Sequence, residues 1–149
     1  MKTAVSQTMK RFNHLTGEIS AVYHAASWKL GLADSVSQIL YTLSECGDSC
    51  LLTDVCRLTG LSKQTVNSAI RNLERDGIVR LEPVNAKSKR VSLTREGALF
   101  AEKTVGKIIR AENEIFDSWK SEEISTYLAL TERFLNALAE KTEAFSKSL

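Results

Sequence analysis

A mainly helical chain carrying one small β-hairpin is the fold class this sequence predicts, and three observations predict it. Apolar residues recur at three- and four-residue spacing through both ends of the 149-residue chain. Between Ile78 and Leu93 that period gives way to short-strand material and a two-residue alternation. Pro83 is the single proline, so the flanking stretches are free to be helical.

The first helix is expected from about Ser6 to Leu30, with Phe12, Leu15, Ile19, Val22, Ala26 and Leu30 on one face. Gly31 ends it by accepting a left-handed conformation. Asp34 or Ser35 starts the next helix, which buries Val36, Ile39, Leu40 and Leu43. The stretch from Glu45 to Ser49 reads as a turn. Thr53 then caps a short helix with Val55, Cys56 and Leu58 inside, and Thr59, Gly60 and Leu61 break the chain again. Ser62 is an N-cap for a helix whose inner stripe is Val66, Ala69, Ile70 and Leu73, closed by Asp76 and Gly77. Ile78, Val79 and Leu81 form one strand and Lys89 to Leu93 the other, with a bend at Pro83 and Asn85. The expected hairpin has a basic tip, Lys87-Ser88-Lys89-Arg90. Thr94 caps one long helix from Arg95 to about Lys120. Ser121 with Glu122 and Glu123 starts the last helix, expected to bury Ile124, Tyr127 or Leu128, Leu130, Phe134, Leu135, Leu138 and Phe145.

Composition bounds the function. Hydrophobic residues make up 43% of the chain, enough for a real core. No apolar run approaches ~18 residues and none follows Lys2, so neither a membrane span nor a signal peptide is expected, and the expected location is the cytoplasm. Formal net charge is only +2, but between Arg57 and Arg95 nine Lys or Arg stand against three acidic residues. From Glu96 onward ten acidic residues outnumber seven basic ones. A basic middle with a more acidic tail suggests a module facing nucleic acid joined to one with another task. Both histidines lie in the first helix, no glycine-rich phosphate loop is present, and no nucleophile–base set is suggested, so an enzyme is not expected. No cofactor or metal is expected either. Cys46 and Cys50 flank a turn and could oxidise or bind a soft metal, but two thiols with distant histidines are a poor metal set, and Cys56 reads as a small buried hydrophobe.

A short helix, a tight turn, a second helix and a basic hairpin form a specific combination. The second helix is slim enough for the major groove of double-stranded DNA. Its outer face offers Ser62, Lys63, Gln64, Thr65, Asn67, Ser68 and Arg71. Gln64 and Asn67 can pair with adenine edges, Lys63 and Arg71 can reach guanine or phosphate, and Ser62 and Thr65 can hold phosphates. Lys87, Lys89 and Arg90 of the hairpin can lie along the minor groove or the flanking phosphates. A protein–protein adaptor on the same scaffold, touching no DNA, is the competing reading.

Residues Leu52 to Arg80 (LTDVCRLTGLSKQTVNSAIRNLERDGIVR) and Lys89 to Gly97 (KRVSLTREG) resemble the MarR family of bacterial transcription regulators. Lys29 to Glu45 resembles the family's approach to its helix-turn-helix. The resemblance implies a winged helix-turn-helix DNA-binding lobe flanked by long N- and C-terminal dimerisation helices. It implies a homodimer on a pseudo-palindromic operator, usually a repressor, released by a small aromatic or lipophilic effector or by oxidation. On this chain the implied organisation is an N-terminal dimerisation helix over 1–30, the DNA-binding lobe over 31–97 and C-terminal dimerisation helices over 98–149. Family wings commonly carry an Asp-x-Arg pair near the tip. Asn85, Ala86 and Lys87 stand there instead, which predicts a looser wing with weaker minor-groove preference.

Two copies of a recognition helix must sit about one DNA turn apart, ~34–36 Å, and long terminal helices can set that distance. Phe12, Leu15, Ile19, Trp119, Leu128, Phe134, Leu138 and Phe145 are the candidate dimer interface, unless they merely complete each subunit's own core. His14, Tyr23, His24 and Trp28 are candidates for lining an effector pocket, and each could equally be an ordinary surface or core residue.

Overall fold

The computed structural model describes residues 1–145 and 147, and falls into two compact units, Met1–Ile109 and the stretch from Arg110 onward. In chain order the first unit contains α1 (Gln7–Lys29), α2 (Asp34–Glu45), β1 (Ser49–Leu51), α3 (Leu52–Thr59), α4 (Lys63–Arg75), β2 (Val79–Pro83), β3 (Lys89–Leu93) and α5 (Arg95–Lys103). Next comes α6 (Val105–Asp117), which runs across the boundary, and α7 (Ser121–Glu143) belongs to the second unit.

Local chemistry sets most boundaries. Ser6 caps α1, its Oγ accepting the Met9 N–H at 3.1 Å, and Gly31 follows the helix at φ +73°. Asp34 opens α2 with a carboxylate at the positive end of the helix dipole. Gly47 and Asp48 both take left-handed conformations and reverse the chain. Ser49 therefore belongs to a strand, not to the expected turn. β1 pairs antiparallel with β3, Cys50 opposite Val91, so the sheet has three strands in the order β1-β3-β2 and not the two of a simple hairpin. Three residues are too short a run for alternation to announce a strand; the partner β3 supplies the hydrogen bonds that hold it.

Three further expectations are corrected. The short helix α3 begins two residues earlier than a Thr53 cap requires, with Leu51 at the N-cap and no side-chain cap, and Leu58 is 47% exposed. The long helix expected after Thr94 is broken at Thr104, whose φ −113° and ψ −93° leave helical space. The Thr104 hydroxyl donates to the Phe100 carbonyl at 2.8 Å, and beyond the break Val105 is fully buried. Within one protomer α7 buries nothing: Ile124 is half-buried, while Tyr127, Leu128, Leu130, Phe134, Leu135 and Leu138 are exposed, as is Phe145 beyond the helix end.

The core lies in the first unit. Ile39, Leu40 and Leu43 of α2 meet Val55 of α3, Val66, Ala69, Ile70 and Leu73 of α4, Val79, Val91 and Leu93 of the sheet, and Ala101 and Val105 beyond it. The sheet caps this helical layer with its inner face, where Cys50, Val79, Val91 and Leu93 point, as the strand period requires. In α1 Ser27 is buried and Met9 and Ala26 are half-buried, as is Leu30 at the C-cap. In the second unit Trp119 stacks edge-on against Phe116 at 5.1 Å and lies 5.6 Å from Tyr127. Among the described residues no helix is long and apolar enough to cross a membrane.

Candidate nucleic-acid interface

Helix α4 is anchored by its apolar side and capped at its start. Val66 is fully buried, and Ala69, Ile70 and Leu73 nearly so, facing α2 and β2. Each large side chain contributes about 1.5–3 kcal/mol by leaving water. Ser62 Oγ accepts the Thr65 N–H at 3.1 Å and donates to Thr65 Oγ1 at 2.8 Å. The Ser62 hydroxyl is thus committed to capping, while Thr65 Oγ1 keeps its own proton to donate. Lys63, Gln64, Thr65, Ser68 and Arg71 are exposed on the opposite side, and Asn67 is half-buried. The helix-turn-helix itself is set by Gly60, at φ +70°, and by Thr59, whose hydroxyl donates to the Val55 carbonyl at 2.7 Å and accepts the Leu61 N–H at 3.3 Å.

The wing is β2, β3 and the loop of residues 84–88. Its base is fixed to α5: Thr94 Oγ1 donates to the Gly77 carbonyl at 2.6 Å and accepts the Gly97 N–H at 2.9 Å. Gly97 is obligatory, because a Cβ there would lie 1.9 Å from the Ile78 carbonyl oxygen. That contact explains the Leu-Thr-x-x-Gly sequence at the wing's close. The three wing cations diverge. Lys87 is in the loop, Lys89 shares the inner strand face with Val91, and Arg90 points to the outer face opposite Glu82, donating to Ser49 Oγ at 3.4 Å. Lys89 and Arg90 are strand residues and do not form the tip, because the loop closes at Ser88 through the Val84 N–H to Ser88 carbonyl bond of 2.9 Å.

Between α4 and the wing runs an open groove of about 930 Å³. Lys63, Asn67 and Arg71 line one side and Lys87 and Lys89 the other, over a floor of Ile70, Leu81 and Pro83. Glu74 is its one acidic lining residue. Among the described residues Lys63, Arg71, Lys87 and Lys89 make no ion pair. Three arginines outside the groove lining are paired instead: Arg57 with Asp54, Arg75 with Asp76, and Arg80 with Glu82 at 2.9 Å. Folding has left uncompensated positive charge on the face where α4 presents its polar ridge, a pattern suited to a polyanion. Gln64 and Ser68 share the ridge but not the groove lining, and Arg90 stands outside both.

The remaining candidates are mostly exposed. Phe12, Leu15 and Ile19 are 41–50% exposed on α1, Leu128, Phe134 and Leu138 are 44–57% exposed on α7, Phe145 is more exposed still, and Trp119 is half-buried in the aromatic cluster. His14 meets Glu18 at 3.2 Å, His24 Nδ1 lies 2.6 Å from Asp34 Oδ2, and Tyr23 and Trp28 are exposed. His14 and Trp28 are about 21 Å apart along the helix axis, so one protomer does not bring the four together. Burial above all, then a hydrogen bond and charge from Cys46 and the charge of Asp54, push the Cys50 thiol up to about 11, with Arg90 opposing. It stays protonated at neutral pH, a poor nucleophile. Among the described residues no group of three or more His, Cys, Asp or Glu could hold a metal. Glu74 is a groove residue that reasoning from periodicity missed, and Asn85, read from the sequence as a bend residue and as the place of the family's wing aspartate, lines the groove as well.

An anchored helix with a polar ridge beside a basic hairpin defines the class of fold: a winged helix-turn-helix with a face suited to DNA. Residues 30–90 match the model of the MarR family. A MarR family regulator from Neisseria meningitidis, NMB1585, superposes with a TM-score of 0.81 at 16% identity, covering 93% of this chain and 98% of that one. A MarR family transcriptional regulator from Silicibacter pomeroyi gives 0.70 at 20% identity, covering 96% and 93%. MepR of S. aureus, solved as a complex with DNA, gives 0.67 at 18% identity, covering 91% and 99%. No curated protein matches by sequence. Over residues 30–90, and in its fold, the chain is similar to the MarR family.

Proposed function

We propose that the protein represses transcription by binding a pseudo-palindromic operator as a homodimer. The reading assigns 31–97 to DNA recognition, and 1–30 with 98–149 to dimerisation. The carrying observation is the set of unpaired cations Lys63, Arg71, Lys87 and Lys89 around the outward ridge of α4. In this reading α4 enters the major groove, where Gln64, Asn67 and Ser68 read base edges and Lys63, Thr65 and Arg71 add bases or phosphates. Lys87 and Lys89 grip the adjacent minor groove or its phosphates, and Arg90 adds an outer phosphate contact. The apolar faces of α1 and α7 are too extensive for a lone subunit to leave in water, and a second copy covers them. The regulator works in the cytoplasm, with its DNA.

Release follows if a small aromatic or lipophilic effector binds one spacing of the two recognition helices better than the other. Tyr23, His24, Trp28 and His14, on the helix that would carry the interface, are the side chains assigned to that site. The test is binding to duplexes from the upstream region of the protein's own gene at several salt concentrations, beside scrambled duplexes. Preference for the native sequence, with affinity falling steeply with salt, is expected. Equal, salt-insensitive binding overturns the reading in favour of an adaptor. A monomeric mass under native conditions at micromolar concentration overturns the homodimer.

A further inference from the structure

The wing tip lacks the aspartate–arginine pair, yet it is not without an internal constraint. Asn85 Oδ1 accepts the Lys87 backbone N–H at 2.9 Å, and the Asn85 N–H reaches the Ser88 carbonyl at 3.4 Å. The side chain replaces a missing backbone partner in a tight Asx-type turn and fixes the conformation of Ala86 and Lys87. Asn85, Ala86 and Lys87 all line the groove that faces Asn67 and Arg71. Lys87 itself makes no ion pair among the described residues. A lysine brings a point charge without the rigid fork of an arginine, and its placement depends on the backbone that carries it.

We propose that Asn85 is a positioning residue for DNA binding: its amide oxygen, by holding the Lys87 N–H, aims the Lys87 ammonium across the groove at the duplex that α4 occupies. This inference rests on the DNA-binding reading above. Asn85 need not touch DNA; it removes the freedom that Lys87 would otherwise lose on binding. A neutral amide achieves this without drawing the lysine into an ion pair that phosphate would have to break.

The experiment uses the full-length protein and the tightest duplex it selects from a random-sequence pool. N85A, N85D, K87A and the double variant N85A/K87A are compared by affinity across a salt series, with thermal melts to show that each is folded. N85A is expected to weaken binding about 3- to 10-fold, the scale of one lost hydrogen bond, with its melting temperature unchanged. In the K87A background the same substitution is expected to cost nothing further. N85D keeps the acceptor and adds a carboxylate, so its deficit relative to wild type is expected to shrink as salt screens the added charge. The N85A deficit is expected to persist. Wild-type affinity in N85A, an undiminished N85A loss in the K87A background, or an N85D deficit that tracks N85A at all salts overturns the inference while leaving DNA binding intact. A wild-type protein that selects no duplex overturns the DNA-binding reading itself, and this inference with it.

Discussion

Val66 and Leu128 are both aliphatic residues on amphipathic helices, yet Val66 is fully buried within its own protomer and Leu128 is 57% exposed. The same contrast holds between the whole lobe from α2 to α5 and the helices α1 and α7. In the lobe, apolar stripes find one another across short turns, so the unit completes its core alone. On α1 and α7 the stripes are as rich but many of their large apolar side chains stay exposed. Identical periodicity thus ends in two outcomes, a buried stripe in the lobe and an exposed one on α1 and α7, and the position of a stripe relative to its neighbours decides which.

The sharpest way to break this comparison is to truncate one side chain from each region. Leu43→Ala, in the fully buried part of α2, is expected to cost about 2–5 kcal/mol in denaturant unfolding. Leu128→Ala is expected to act instead through weaker self-association in sedimentation measurements. A Leu43→Ala protein as stable as wild type would erase the distinction. Gly97→Ala probes the joint between wing and lobe, where the added methyl meets the Ile78 carbonyl, and a loss of about 1–3 kcal/mol or more is expected in thermal unfolding.

On the lobe's outer surface the expected effects move from stability to binding. Asn67→Ala is expected to cost about 1–3 kcal/mol against the preferred duplex, with less effect on scrambled DNA, as gel-shift titration would show. Equal losses on both duplexes would reassign Asn67 to backbone positioning. Arg71→Ala is expected to reduce the salt slope by about one and leave unfolding unchanged. Last in size, Ser62→Ala removes the cap of α4 and is expected to cost about 1 kcal/mol of stability. No loss there would mean that the tertiary clamp on Val66 and Ile70 holds the helix end unaided.

Much of the recognition unit was legible in the chain because its signals are local. Ser62, the Val66-Ala69-Ile70-Leu73 stripe and Gly77 mark α4, and Thr94 marks the start of α5. Strand β1 was not legible, since its partner Val91 lies far along the chain and three residues carry no period of their own. The alternation from Lys89 to Leu93 already sets Arg90 on the side opposite Val91; what the sequence left open was the extent of the tip, which ends at Ser88.

What the sequence determined by itself was the order of elements, the caps and breaks between most of them, and the polar ridge of α4. These depend on residues within a turn or two of one another. Tertiary structure alone decided the third strand, the break at Thr104, the bond from Asn85 that holds the wing tip, and which apolar stripes stay uncovered in the protomer. Each of these depends on the distance between groups after folding, and a linear spacing does not contain that distance.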